Sequence, residues 1–168
     1  SIKKVMKKIF LIAAIVYSVA ANSQVTKVSL QASSLTCSMC SNAINKALKS
    51  LDFVDKVDAN IKTSTFEISF KPNSKVDFDK LKNKVEGAGF FVAGFIATMH
   101  FNNVKIKSDE AITVGDKTLQ FVNVKEQMLN GAKTIKVIDK GFVSSKEYKK
   151  NSVASADSKS WKIYHLII

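Results

Sequence analysis

Arginine is absent from this 168-residue chain: all 26 basic residues are lysine, set against 14 acids. Bidentate reading of bases and phosphates favours the planar guanidinium fork, so a dedicated nucleic-acid binder is disfavoured despite a formal charge of +12. The lysines alternate with acids instead of forming a stripe, which is the pattern of a solvated surface. Histidine is scarce, with only His100 and His165, and no serine, histidine and acid are placed to support hydrolysis. The six glycines form no phosphate-cradling loop. The single proline, Pro72, sits at a hairpin end, so the chain offers no candidate for the cis-proline of thioredoxin-like redox folds. These absences together point away from catalysis.

What is present suffices for a folded protein. Hydrophobic residues make up 46% of the chain and aromatics 9%, enough to fill a core in one ordinary domain or two small ones. The amino terminus reads as a signal peptide over residues 1–23. Lys7 and Lys8 form a basic region, Ile9 to Tyr17 an apolar one, and Ala21, Asn22 and Ser23 a small-residue cleavage site, so that the mature chain starts at Gln24. The apolar stretch is far short of the ~20 residues that span a bilayer, which disfavours an uncleaved anchor. A periplasmic or secreted product without stable membrane insertion is expected, with its net charge reduced to +8 by loss of Lys3, Lys4, Lys7 and Lys8 from +12.

Residues 24–92 read as a βαββαβ unit. Val28, Leu30 and Ala32 alternate as in a half-buried strand, then Ala43, Ile44, Ala47, Leu48 and Leu51 recur at helical spacing. Val57, Ala59 and Ile61 alternate again, as do Phe66, Ile68 and Phe70, predicting a hairpin with its turn near Lys62 to Ser64. Pro72 to Ser74 break the strand, Asp77 can cap a second helix in which Val76 staples to Leu81, and Gly87 or Gly89 can end it before a last strand at Phe90 to Val92. The order predicts an α+β sandwich with both helices on one face of an antiparallel sheet. Residues 93–168 read instead as short strands: Phe95–Phe101, Val104–Lys107, Ala111–Val114, Leu119–Val124, Ile135–Ile138 and Trp161–Ile168. A helical turn is expected at Lys146–Lys150 and a loop at Asn151–Ser160. The expectation is a small all-β domain of OB-like barrel form.

The chemistry concentrates in two residues. Cys37 and Cys40 are the only cysteines, separated by Ser38 and Met39, and Cys40 opens the first helix. Two intervening residues let both sulfurs converge on one atom, and the positive end of a helix dipole favours thiolate. Three readings compete: a metal site, a thiol–disulfide exchanger with Cys37 as nucleophile, and an inert disulfide. The last is weakened because so short a loop constrains little of the unfolded chain. Two soft donors without a nearby histidine suit Cu(I) or Hg(II) better than tetrahedral Zn(II), although Zn(II) stays open. Met39 points to solvent on the simplest reading. Met99 and His100 are expected on opposite sides of a strand, and His165, Trp161, Tyr164 and Tyr148 are expected to have structural roles. Lys46 and Lys49 are read as a solvated helix face.

The Leu35–Cys40 segment LTCSMC resembles the MTCxxC loop of the heavy-metal-associated family of copper chaperones, copper-pumping ATPases and periplasmic mercury-binding proteins. Lys84–Val92, KVEGAGFFV, is similar to that family's second-helix exit. The resemblance covers residues 25–92. It implies a ferredoxin-like fold with Cys37 and Cys40 as metal ligands on an exposed loop, Leu35 packed beneath that loop in place of methionine, and Phe90 close by. It further implies a carrier that captures, buffers or transfers a thiophilic ion, Cu(I) first among the candidates, by ligand exchange with a metal-donor or metal-acceptor protein.

Overall fold

A computed structural model describes residues 25–33, 35, 37–151 and 162–168. The signal peptide expected in residues 1–23, the role assigned to Trp161 and the loop expected after Asn151 lie outside those residues. Alternating burial makes β1 from Val25–Ala32, with Val28, Leu30 and Ala32 turned inward. Helix α1 spans Ser38–Lys49 and buries Ile44 and Leu48. Strands β2, Val54–Asn60, and β3, Thr65–Phe70, follow as an antiparallel hairpin. Its turn uses Ser64 at a φ of 54°. Helix α2, Phe78–Gly87, starts at Asp77, whose carboxylate accepts from the Lys80 amide at 3.0 Å, and Gly89 takes the left-handed φ of 90° past its end. These are the elements expected, in the expected order.

Strand β4 departs from expectation. It runs unbroken from Val92 to Ile106, where the sequence suggested two strands separated by Asn102 and Asn103. A register shift between Phe101 and Val104, with Asn103 at a φ of 48°, absorbs the two asparagines as a bulge. The early part of β4 pairs with β1, from Val92 opposite Ala32 to Met99 opposite Val25. Its other edge pairs with β7, Gln127–Val137, from Ile96 to Ile106. Strands β5, Ala111–Val114, and β6, Lys117–Phe121, form a hairpin, and β8, Ile163–Ile167, runs parallel to β6 and antiparallel to β7. A short helix α3 covers Ser145–Lys150.

The expected OB-like barrel is therefore corrected. The eight strands of the described residues form one sheet in the order β2-β3-β1-β4-β7-β8-β6-β5, with β2 and β5 as separate edges. The carboxy-terminal strands extend the sheet of the first unit because β1 occupies only one edge of β4, and β7 satisfies the backbone groups of the other edge without closure. Among the described residues no helix is long and apolar enough to cross a membrane.

One hydrophobic core serves both halves. Phe78 of α2 lies 4.9 Å from Phe95 of β4, Phe95 lies 5.2 Å from Phe142, and Tyr164 of β8 lies 5.2 Å from Phe78, all as ring centroids. The Tyr164 hydroxyl donates to Asp79 Oδ2 at 2.7 Å, and Lys162 pairs with the other carboxylate oxygen. Burial, reinforced by the Asp79 carboxylate, holds the Tyr164 phenol well above its ordinary range, so it remains a donor. Tyr164 thus joins the halves at α2 instead of packing within the second half alone. Phe142→Ala is expected to lower unfolding free energy by about 3–5 kcal/mol. In urea melts the loss should come as one transition, seen alike by far-UV circular dichroism and tyrosine fluorescence.

Candidate metal centre

Both cysteines sit where β1 gives way to α1. Cys37 is the N-cap of α1, with extended backbone at φ −141° and ψ 153°, and its sulfur accepts from the Cys40 amide at 3.2 Å. Three residues on, Cys40 lies on the same side of the first turn, and the two Cα atoms are 5.4 Å apart. The sulfurs meet: in this structure they are joined as a disulfide. Cys37 is exposed and Cys40 half-buried, so the pair faces outward. No acid occupies the first turn of α1, so the positive end of its dipole is left to the cysteines, while Lys46 and Lys49 in the last turn complement the opposite end. The amide donated to Cys37 would stabilise the thiolate after reduction in the same way.

The surrounding residues divide by packing. Leu35 is half-buried against the core, as is Phe90. Phe91, which the sequence reading passed over, is 73% exposed, and its carbonyl accepts from the Ser33 amide at 2.7 Å, tying the start of the cysteine loop to the start of β4. The signal lay in the pair Phe90 and Phe91: neighbours at a strand's start face opposite ways, so one of them must look outward. Met39 is 82% exposed. The carboxy-terminal half also reaches this end of the sheet, where a cleft of about 420 Å³ separates Phe91 and Ala93 from Lys140, Gly141 and Ser144.

The remaining candidate donors lie elsewhere. Met99 is buried and His100 exposed on β4, on opposite sides as expected. His100 is eight residues past Val92, about 26 Å along the strand from the cysteine end. His165 is held by Asp139, which accepts from its backbone amide at 2.9 Å and meets its Nδ1 at 2.7 Å. Among the described residues no group of three or more His, Cys, Asp or Glu side chains is arranged to hold a metal. A tetrahedral zinc site built on Cys37 and Cys40 would lack two donors.

Residues 29–91 match the family model described as the heavy-metal-associated domain. The chain belongs to this family through that segment. Similar solved structures include the yeast copper transporter domain CCC2A, determined in apo and Cu(I)-loaded states, at 31% identity over 40% of this chain and 90% of that one, with a TM-score of 0.36. Oxidized MerP from Ralstonia metallidurans CH34 is 27% identical over 42% of this chain and 96% of that one, with a TM-score of 0.38. The CopZ metallochaperone is 25% identical over 40% of this chain and 100% of that one, with a TM-score of 0.38. A comparison with curated proteins finds no match. The ferredoxin-like α+β unit of a heavy-metal-associated domain therefore carries Cys37 and Cys40.

Because Cys37 caps α1, its two replacements separate chemistry from stability. In the reduced protein, Cys37→Ala is expected to cost about 1 kcal/mol through loss of the cap. Cys37→Ser supplies a capping oxygen and should keep the wild-type urea midpoint.

Proposed function

We propose that the chain is a non-catalytic carrier that captures a thiophilic cation between reduced Cys37 and Cys40 and passes it to a partner protein by ligand exchange. The observation that carries this reading is the convergence of both sulfurs at the exposed amino-terminal end of α1. Membership of the heavy-metal-associated family through residues 29–91 supports it. Cu(I) is the ion best suited to two soft donors and a low coordination number. Hg(II) fits the same donor chemistry, and Zn(II) fits it less well for want of two more ligands.

Leu35 and Phe90, half-buried against the core, are read as the support of the loop, and Cys37, the more exposed of the two cysteines, as the sulfur an incoming thiolate reaches first. Exchange then passes through a three-coordinate ion, so no free metal is released. The basic and apolar segment before Gln24, read as a signal peptide, supports a carrier that works outside the cytoplasm, in the periplasm or secreted. There the cysteines meet oxidising conditions. An oxidised pair must accept two electrons and two protons from a thiol reductant before it can bind. The disulfide favours a second reading, thiol–disulfide exchange through Cys37.

Metal uptake separates the two. Under anaerobic reducing conditions the protein is expected to take up about one Cu(I) per chain, and Cys37→Ser and Cys40→Ser should each abolish tight binding. Full retention of Cu(I) by both variants would remove the carrier reading, and insulin reduction without stable metal uptake would favour exchange.

A further inference from the structure

Strand β4 is paired unequally along its two edges. On one side β1 follows it from Val92 to Met99, but on the other β7 pairs with it only from Ile96 onward. The chain after β7 turns away because Ile138 donates its amide to the His165 carbonyl of β8, at 2.9 Å. A cleft of about 420 Å³ opens there, with Val92 and Ala93 on one wall and Lys140, Gly141 and Val143 on the other. An open strand edge offers main-chain donors and acceptors to a further extended chain. Charge around the cleft is unbalanced as well. Glu86 lines it but is paired with Lys82 at 3.1 Å, whereas Lys140 is exposed and makes no ion pair among the described residues. Ser33, also in the lining, is four residues before Cys37, so at most about 14 Å of chain separates the two.

We propose that this cleft docks an extended acidic segment of the protein that exchanges the ion with Cys37 and Cys40, the segment adding as a short strand to β4 at Val92 to Gly94. This rests on the carrier reading and states the chemistry of its partner. Three strand residues cover about 10 Å, enough for main-chain bonds to fix the direction of the segment. A carboxylate on it pairs with Lys140, and an apolar side chain rests on Phe91, which is 73% exposed in the same lining. Acidic segments are selected over basic ones because Glu86 is already engaged by Lys82 and Lys140 is not engaged by an acid. Docking keeps the partner's thiolates beside the cysteine loop, so that exchange becomes effectively intramolecular: one thiolate pair replaces the other, and the ion keeps its oxidation state. The wall that carries Lys140 lies beyond the matched residues 29–91, which makes this preference a property of the carboxy-terminal half.

The test uses a synthetic probe in which an alternating valine–glutamate stretch is joined by a flexible linker to a pair of cysteines two residues apart, and a control probe with lysine in place of glutamate. Reduced full-length protein loaded with Cu(I) is expected, at low ionic strength, to pass the ion to the acidic probe about fivefold faster than to the control. Lys140→Glu should remove most of that preference and leave Cu(I) uptake unchanged. Lys107→Glu makes the same change of net charge past the far end of β4 and should keep the preference. The valine–glutamate stretch alone should shift the amide resonances of Val92, Ala93 and Gly94, and Ser145→Trp, which places bulk in the cleft, should abolish those shifts. Equal transfer to both probes, an equal effect of the two charge reversals, or shifts confined to other surfaces would overturn the docking site and leave the carrier standing. Self-association of the protein through the cleft would do the same. Failure to load Cu(I) at all would overturn both.

Discussion

Where the two sulfurs stand depends on burial on either side of a short bend. Val28, Leu30 and Ala32 hold β1 to the core face, and Ile44 and Leu48 hold α1 to the same core. A strand cannot slip by one residue without turning that inward set to solvent, so the register with β3 and β4 is strongly specified. Each buried aliphatic side chain contributes on the order of 1.5–3 kcal/mol, far more than the capping bond it positions. The bend is further tied by backbone bonds from Ala32 to Ser64, at 2.9 Å, and from Ser33 to Phe91, at 2.7 Å. An exposed motif thus rests on a support that solvent does not reach. Soft-ion capture needs this combination, because a loop free to open would hold its donors at variable separation.

The carboxy-terminal half follows from a second constraint, the open edge of β4. With β1 on one edge of β4 the opposite edge would stay unpaired, and β7 satisfies its backbone groups from Ile96 to Ile106. Side chains then complete the join. Phe142 and Tyr164 pack on Phe95 and Phe78, and Lys117 lays its amine 5.1 Å from the Phe78 ring centroid while pairing with Asp116 at 2.9 Å. Gly141, at a φ of 86°, brings the chain against Lys82 and Glu86 of α2. The added strands therefore brace α2 and reach the cysteine end, where Lys140 and Ser144 face Phe91 across the cleft. Residues outside the matched family segment thus share a cleft with Ser33 and Phe91, next to the start of the cysteine loop.

Local pattern made the first unit legible. Strand alternation at Val28 and Leu30, helical spacing at Ile44 and Leu48, and the cap at Asp77 each report a face or an end that short-range chemistry dictates. The cysteine pair was legible for the same reason, since its geometry is set within one helical turn. The second half was read less well because its determinants are distant in sequence. Asn102 and Asn103 look like a break when read locally, yet they form a bulge because Leu129 and Gly131 continue to pair on either side. Gly131 likewise reads as a stop, whereas β7 carries it within the strand at a φ of 76°. Parallel pairing of β8 with β6 has no local signature at all. Phe91 was missed for a smaller reason: two adjacent phenylalanines carry no label saying which one faces inward.

The core that holds the cysteine bend is built from side chains other than the cysteines. Closing a disulfide across two residues restrains the unfolded chain less than a long loop would, so oxidation adds less stability than a long-range bridge. In the disulfide form the Cys40 amide donates to the Cys37 sulfur, a bond that a thiol or thiolate sulfur can also accept. The anchors at Leu30, Ile44 and Phe90 lie behind the bend and do not depend on which bond the sulfurs make. On the carrier reading, disulfide, dithiol and dithiolate–metal forms would share this one scaffold. Their relative populations are then set by surrounding thiols and soft ions, which is the condition a carrier needs if it is to load and unload in response to its surroundings.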